Sequence, residues 1–289
     1  MNNFDQLPSG YSIEQVIQHA LDALSGVSDS PKLDVELLLC HQLQCNRTYL
    51  FTWPEKILST ADIIGFRELF QQRQNGLPIA HILGEREFWG LNLKVTADTL
   101  IPRPDTETLV EQALQLLGEY QKPKILDLGT GTGAIALALK SEFAQSEVTA
   151  IDFSAKALAI AKENSQILQL PITCIESAWF QALPTEAKFD LIVSNPPYIE
   201  ENDPHLTQGD VRFEPITALT SGKDGLEDIR LIAKGATKHL STNGWLVIEH
   251  GYNQALAVQQ ILQENGFSQV ASRKDYGNND RVTYGQMAH

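Results

Sequence analysis

The sequence predicts an α/β protein in which a mostly parallel, doubly wound sheet follows a small helical bundle. Three observations carry this reading. Residues 11–75 read as helical with no strand pattern between them, short apolar runs alternate with helical segments from residue 124 onward, and Phe88–Val95 between them reads as a hairpin. The expected division is a helical domain over 1–85, a hairpin linker over 86–103 and the sheet domain over 104–289.

The elements follow in order. Ile13, Val16, Ile17, Ala20, Leu21 and Leu24 form one helical stripe. Ser30-Pro31 opens a second helix through Leu33, Val35 and Leu37–Leu39, proline being suited to a first turn. Thr60-Ala61-Asp62 opens a third through Ile63, Phe66 and Phe70, and Asn75-Gly76 ends it. Strands are expected at Lys124–Leu128, Glu147–Ile151, Ile172–Ile175, Phe189–Ser194 and Trp245–Glu249, with helices between them such as Ala134–Lys140 and Ala155–Asn164. Val270–Ser272 and Arg281–Tyr284 read as two further edge strands. Glu200–Lys223 is long, polar and aperiodic, as a functional loop would be.

Composition narrows the chemistry. Apolar residues make up 43% of the 289, enough for a substantial core. The balance of 36 Asp/Glu to 22 Lys/Arg, net charge −14, suits a basic protein partner and argues against general nucleic-acid binding, which leans on phosphate neutralisation. Three cysteines without a CxxC pair and scattered histidines indicate neither a disulfide framework nor a metal. No apolar run reaches membrane-span length, and MNNFDQLPSG lacks the pattern of a signal peptide, so a cytoplasmic protein is expected.

Two constellations carry chemistry. Gly129-Thr130-Gly131-Thr132-Gly133 joins the first strand to a helix, and glycines at alternate positions let the backbone turn tightly and approach a ligand. Asp152, about twenty residues on, ends the next strand where a carboxylate accepts from ribose hydroxyls; the alternative is a helix cap, with Ser154 as competitor. The spacing is GxGxG and no phosphate loop is present, so a nucleoside cofactor such as S-adenosyl-L-methionine fits better than a dinucleotide. The second constellation is Asn195-Pro196-Pro197-Tyr198, directly after an apolar strand. The prolines stop the ladder and leave a rigid corner. There an amide oxygen and a backbone carbonyl can each accept one N–H of a planar –NH2 group, and the tyrosine ring can stack on its flat face. The alternative for this corner is a strand-ending turn without chemistry.

Asp127–Gly133, Asp152 and Asn195–Tyr198 together resemble class I S-adenosylmethionine-dependent methyltransferases, which have a Rossmann-like sheet. Within them the chain resembles the HemK/PrmC family, which methylates the glutamine of the Gly-Gly-Gln motif in class I peptide chain release factors. Leu33–Leu39, Pro78–Gly84, Ile101–Glu107, Phe213–Pro215 and Gly222–Leu226 carry the likeness across nearly the whole chain, with His81 where tyrosine is more usual. The resemblance implies that Gly129–Gly133 line the cofactor, Asp152 binds its ribose and Trp179 contacts its adenine. It also implies that Asn195 touches cofactor and substrate and that Asn195–Tyr198 hold the glutamine; the helical domain, which carries no catalytic constellation of its own, is expected to recognise the substrate. Trp179 read without the resemblance is cover for the sheet edge. A ribosomal-protein glutamine is the nearest rival acceptor, followed by a nucleic-acid exocyclic amine; no membrane partner is expected.

Overall fold

The computed structural model describes residues 10–287 except 25 and 119, so Met1–Ser9, inspected above for a targeting signal, lie outside the described residues. The chain divides into two units. The first comprises the residues up to Gly84 together with Pro204–Phe213; the second comprises Glu85–Asp203 and everything from Glu214 on.

The first unit holds five helices among the described residues: α1 (Ile13–Leu24), α2 (Pro31–Leu43), α3 (Arg47–Thr52), α4 (Thr60–Gln74) and α5 (Ile79–Leu83). The apolar stripes of α1, α2 and α4 meet in one core of Ile13, Val16, Val35, Leu38, Phe66 and Phe70. A capping box starts α4: the Ser59 side chain accepts from the Asp62 N–H, and the Asp62 carboxylate accepts from the Ser59 N–H. Helices α3 and α5 were not anticipated, because one to two turns are too short to show a period. Arg73 is 4% exposed and binds Asp34 at 2.7 Å and Asp210 at 2.8 Å. That bridge attaches 204–213, expected above as part of a sheet-domain loop, to the helical unit.

The second unit opens with strands β1 (Glu85–Phe88) and β2 (Leu91–Lys94). Trp89 and Gly90 both have positive φ, 55° and 71°, as a tight two-residue hairpin requires. Tryptophan is unusual there; its N–H donates to Glu107 and its indole N–H to Glu142, which hold it in place. Phe88 and Leu93 are buried in the core of this unit, so the expected linker is an integral part of it.

The main sheet takes β3 (Lys124–Leu128), β4 (Glu147–Asp152), β5 (Thr173–Glu176), β6 (Phe189–Ser194), β7 (Leu240–Glu249), β8 (Phe267–Lys274) and β9 (Asp280–Met287) in the order β5-β4-β3-β6-β7-β9-β8. β3 to β7 pair in parallel, and β9 runs antiparallel to β7 and β8. β9 is therefore inside the sheet, and of the two tail strands only β8 forms an edge. Alternate strand residues face opposite layers. Ile125, Leu191 and Val193 pack with α6 (Glu107–Leu117) and α7 (Ala134–Glu142). Leu126, Leu128 and Ile192 pack with α9 (Glu227–His239) and α10 (Ala255–Glu264), while α8 (Ala155–Ile167) follows β4. Leu126 and Leu128 are fully buried, each worth roughly 1.5–3 kcal/mol on leaving water, so β3 holds the turn that follows it firmly. Among the described residues no helix is long and apolar enough to cross a membrane.

Candidate active site

The strand order reverses between β3 and β6, which puts the C-terminal ends of β3, β4 and β6 around one crevice. Leu128 and Ser194 are in register, so the glycine turn and the proline corner leave the sheet side by side. Gly129 and Gly131 take left-handed φ of 72° and 55°. The N–H groups of Gly129 and Thr130 both donate to the Ile151 carbonyl, tying the turn to β4. Thr130 donates its hydroxyl to Asp127, the Thr132 carbonyl accepts from Asn164, and a side chain at Gly133 would press on Ala161 at 3.2 Å.

Asp152 reaches back to this turn. Its carboxylate accepts from Gly131 N–H at 2.9 Å and from Ser154 N–H at 2.9 Å. Ser154, not Asp152, caps α8 by accepting from Ala157 N–H. Burial pushes the Asp152 carboxyl up, and these backbone N–H groups draw it back.

Below the turn, burial pushes Asp127 up to about 7 against hydrogen bonds from Thr130 and Ala136, and its Oδ1 has no hydrogen-bond partner among the described residues. Burial likewise pushes Glu249, at the end of β7, up to about 7. A carboxyl raised in the folded state takes its proton before the unfolded chain does, so stability falls as pH rises through 7 and recovers below it. His250, pushed down by burial, acts in the opposite sense below its ordinary 6.5. The stability of the free protein should therefore rise from about pH 8.5 to 6.5 by about 1 kcal/mol per carboxyl, and its melting temperature with it. Asp127→Asn should remove about half of that gain. A flat profile across this window would contradict the assignment.

At the corner, Asn195 Nδ2 donates to the Thr106 hydroxyl at 3.2 Å. The Tyr198 carbonyl accepts from Gln254 Nε2 at 3.0 Å, and the Tyr198 hydroxyl lies 3.4 Å from Glu249 Oε1. The Tyr198 ring packs against the α9–α10 core.

A two-lobed cavity opens here, each lobe about 210 Å³, with Gly129, Asp152, Phe153, Pro197 and Thr217 in the wall of both. One lobe adds Trp179 and Asp228, the other Gly131, Asp98 and Asn195. The indole N–H of Trp179 donates to Asp228 at 3.2 Å, and its ring lies over Gly129. Of the residues singled out in the sequence, Gly129, Asp152 and Pro197 line both lobes, Trp179 one, and Gly131 and Asn195 the other. Thr130, Thr132, Gly133, Pro196 and Tyr198 do not line either lobe; they shape the turn and the corner from behind. Asp98, Phe153, Thr217 and Asp228 line the cavity without having been noticed. Of these, Phe153 carried a signal, a large aromatic next to Asp152 that remains 57% exposed.

A family model described as the PrmC N-terminal domain matches residues 15–84, and one described as a methyltransferase small domain matches 105–211. The release factor glutamine methyltransferase of Shewanella oneidensis is 51% identical over 275 residues, covering 95% of this chain and 96% of that protein. The enzyme of the same name from Vibrio cholerae is 51% identical over 278 residues, with 95% and 96% coverage. In fold, the chain is similar to a Pyrococcus furiosus methyltransferase with TM-score 0.51, 18% identity, and coverage of 69% of this chain and 90% of that one. It is also similar to a T. thermophilus 16S rRNA methyltransferase solved with AdoMet and guanosine, with TM-score 0.52, 21% identity, and coverage of 70% and 49%. With half its residues shared with these relatives from end to end, and a methyltransferase sheet beneath the glycine turn and the proline corner, the chain belongs to the release factor glutamine methyltransferase family.

Proposed function

We propose that the enzyme transfers a methyl group from S-adenosylmethionine to the side-chain amide nitrogen of the glutamine in the Gly-Gly-Gln motif of class I peptide chain release factors. The observation that carries this reading is the common wall of Gly129, Gly131, Asp152, Asn195 and Pro197, which sets an amide-accepting corner beside a nucleoside-sized crevice.

The residues present fit that cofactor. Asp98, Asp152 and Asp228 give the cavity an acidic wall suited to the sulfonium and ammonium groups of that ligand. Gly129 and Gly131 allow the backbone close approach, and Asp152 keeps lone pairs free for two ribose hydroxyls beyond the N–H groups it already accepts. Asp152→Ala should weaken S-adenosylmethionine binding by about 10–100-fold, the value of hydrogen bonds to a charged group, measured by calorimetry. Unchanged affinity would remove Asp152 from the ribose site. In this reading Trp179, whose ring lies beside Gly129, covers the base.

When bound, S-adenosylmethionine supplies an electrophilic methyl group. The chain supplies orientation. Because Asn195 Nδ2 is engaged by Thr106, Oδ1 is the end of the amide left to accept an N–H from the glutamine. A carbonyl of the proline corner accepts the second. Both bonds strengthen as the nitrogen becomes more positive, so the corner favours the transition state over the ground state and no general base is needed. The proton departs after transfer. Tyr198 braces the corner from the core side.

The helical unit is the docking element for the factor. It exposes Phe51, Trp53 and Ile57 by 57%, 51% and 58%, with the Lys32 and Arg47 cations over the Phe51 ring. Trp53→Ser should raise KM for intact factor several-fold and leave KM for a short Gly-Gly-Gln peptide unchanged; equal effects on both would argue against docking. The reaction belongs to the cytoplasm, where three free thiols are at home, and a net charge of −14 fits a protein acceptor without direct nucleic-acid binding.

Methyl-labelled cofactor tests the whole. Label should enter purified release factor and be lost when the motif glutamine is replaced by asparagine. Label on a ribosomal protein or on RNA, with the factor unlabelled, would overturn the reading.

A further inference from the structure

Glu249 is a charged group behind the corner that the reaction as described leaves without a task. It ends β7, is 1% exposed, and pairs in the sheet with Val282 of β9. Such a carboxylate is costly to bury and calls for a reason. Its Oε1 faces the Tyr198 hydroxyl at 3.4 Å, its Oε2 has no hydrogen-bond partner among the described residues, and the Thr106 hydroxyl acts on the carboxylate as a donor that lowers its pKa. Arg281 and Asp105 are the other charged groups that act on it, and they bridge to each other at 3.4 Å.

The polarity of this cluster has one consistent solution. A threonine hydroxyl has a single proton. If that proton goes to the Glu249 carboxylate, whose pKa Thr106 lowers as a donor, Thr106 Oγ1 turns a lone pair forward. A forward lone pair can only accept, so it takes the –NH2 end of the Asn195 amide, as the 3.2 Å bond records. Oδ1 must then face the cavity. Were Thr106 to point its proton forward, the amide would turn over and present –NH2 to the substrate's own –NH2, donor against donor.

We propose that Glu249, acting through Thr106, fixes which end of the Asn195 amide meets the substrate and is a positioning residue for methyl transfer. The proposal rests on the role given to Asn195 above. Glu249 does this only when ionised; protonated, it becomes a donor and the chain reverses. Its carboxyl lies near 7, raised by burial and held down by Thr106, Arg281 and Tyr198 with Asp105 opposing, so kcat should decline as pH falls through that region.

Glu249→Gln tests this at nearly constant shape, since the new amide can donate to Thr106 and force its proton forward. The kcat should fall about 10–100-fold, within the range of a lost transition-state hydrogen bond, while S-adenosylmethionine affinity stays at the wild-type value and the low-pH decline of kcat disappears. Thr106→Val should behave in the same way and Thr106→Ser should keep most of the activity. The Asn195 side-chain NH2 resonances read the relay without any acceptor: they should titrate near neutral pH in the wild type and not in Glu249→Gln. If wild-type enzyme fails to methylate release factor but those resonances titrate, the functional reading fails and the relay stands. A Glu249→Gln enzyme as fast as wild type, resonances that do not titrate in the wild type, or Thr106→Ser as impaired as Thr106→Val would overturn the relay.

Discussion

Asn195→Ala is expected to lower the single-turnover rate of methyl transfer about a hundredfold or more, by analogy with removal of one preorganised oxyanion-hole donor. The side chain offers one of two acceptors for the N–H bonds of the incoming amide, and an amide nitrogen is a weak nucleophile that cannot spare either. Cofactor affinity should fall less, since Gly129, Gly131, Asp152 and Trp179 remain in the wall. Asn195→Asp should fare no better, because it adds a negative charge and loses the donor to Thr106. Rapid-quench measurement with saturating cofactor and factor isolates the chemical step. A rate within threefold of wild type, roughly 0.7 kcal/mol in the barrier, would remove Asn195 from the reaction.

Gly225→Ala should be nearly as severe, although Gly225 touches neither ligand. Its φ is +68°, and a Cβ there would lie 2.3 Å from the Tyr198 carbonyl oxygen and 2.8 Å from Gln254 Nε2. Glutamine could swing aside; a backbone carbonyl of the corner cannot without moving Pro197 and Asn195 with it. A displacement of about 1 Å at a positioned group costs on the order of a hundredfold in rate. Gly84→Ala is the control: its φ of +74° is equally strained, but nothing lies within 4 Å of the added carbon. Both variants should lose about 1 kcal/mol of stability to the strained φ, Gly225→Ala more because of its overlap with the Tyr198 carbonyl, and only Gly225→Ala should lose kcat. If the two lose kcat equally, the close approach at Tyr198 is irrelevant to the chemistry.

How much of this could be read from the sequence depended on whether the signal was local. β3 and β6 match their expected limits, because each is a continuous apolar run cut short by glycine or proline. Asp152 and Asn195 were legible because each follows such a run directly. Thr106 and Glu249 were not, since their meaning exists only after α6, β6 and β7 bring residues 106, 195 and 249 together. One trace was visible: Glu249 is an acid at the end of the otherwise apolar Trp245–Ile248. β9 was misplaced to an edge because strand order has no signature in a single strand's pattern. Residues 204–213 form short 3-10 turns that meet the helical unit through Arg212 and Phe213 beside Gly76 and through one charge, Asp210, and show no apolar period.

That charge has a consequence for inheritance. The backbone passes between the two units three times, at 84–85, 203–204 and 213–214. A gene fusion that exchanges only the first 84 codons with a distant relative would bring a foreign residue 73 to the resident Asp210. Arg73 and Asp210 therefore travel well only as a pair, and a workable chimera needs two cut-and-paste events in place of one.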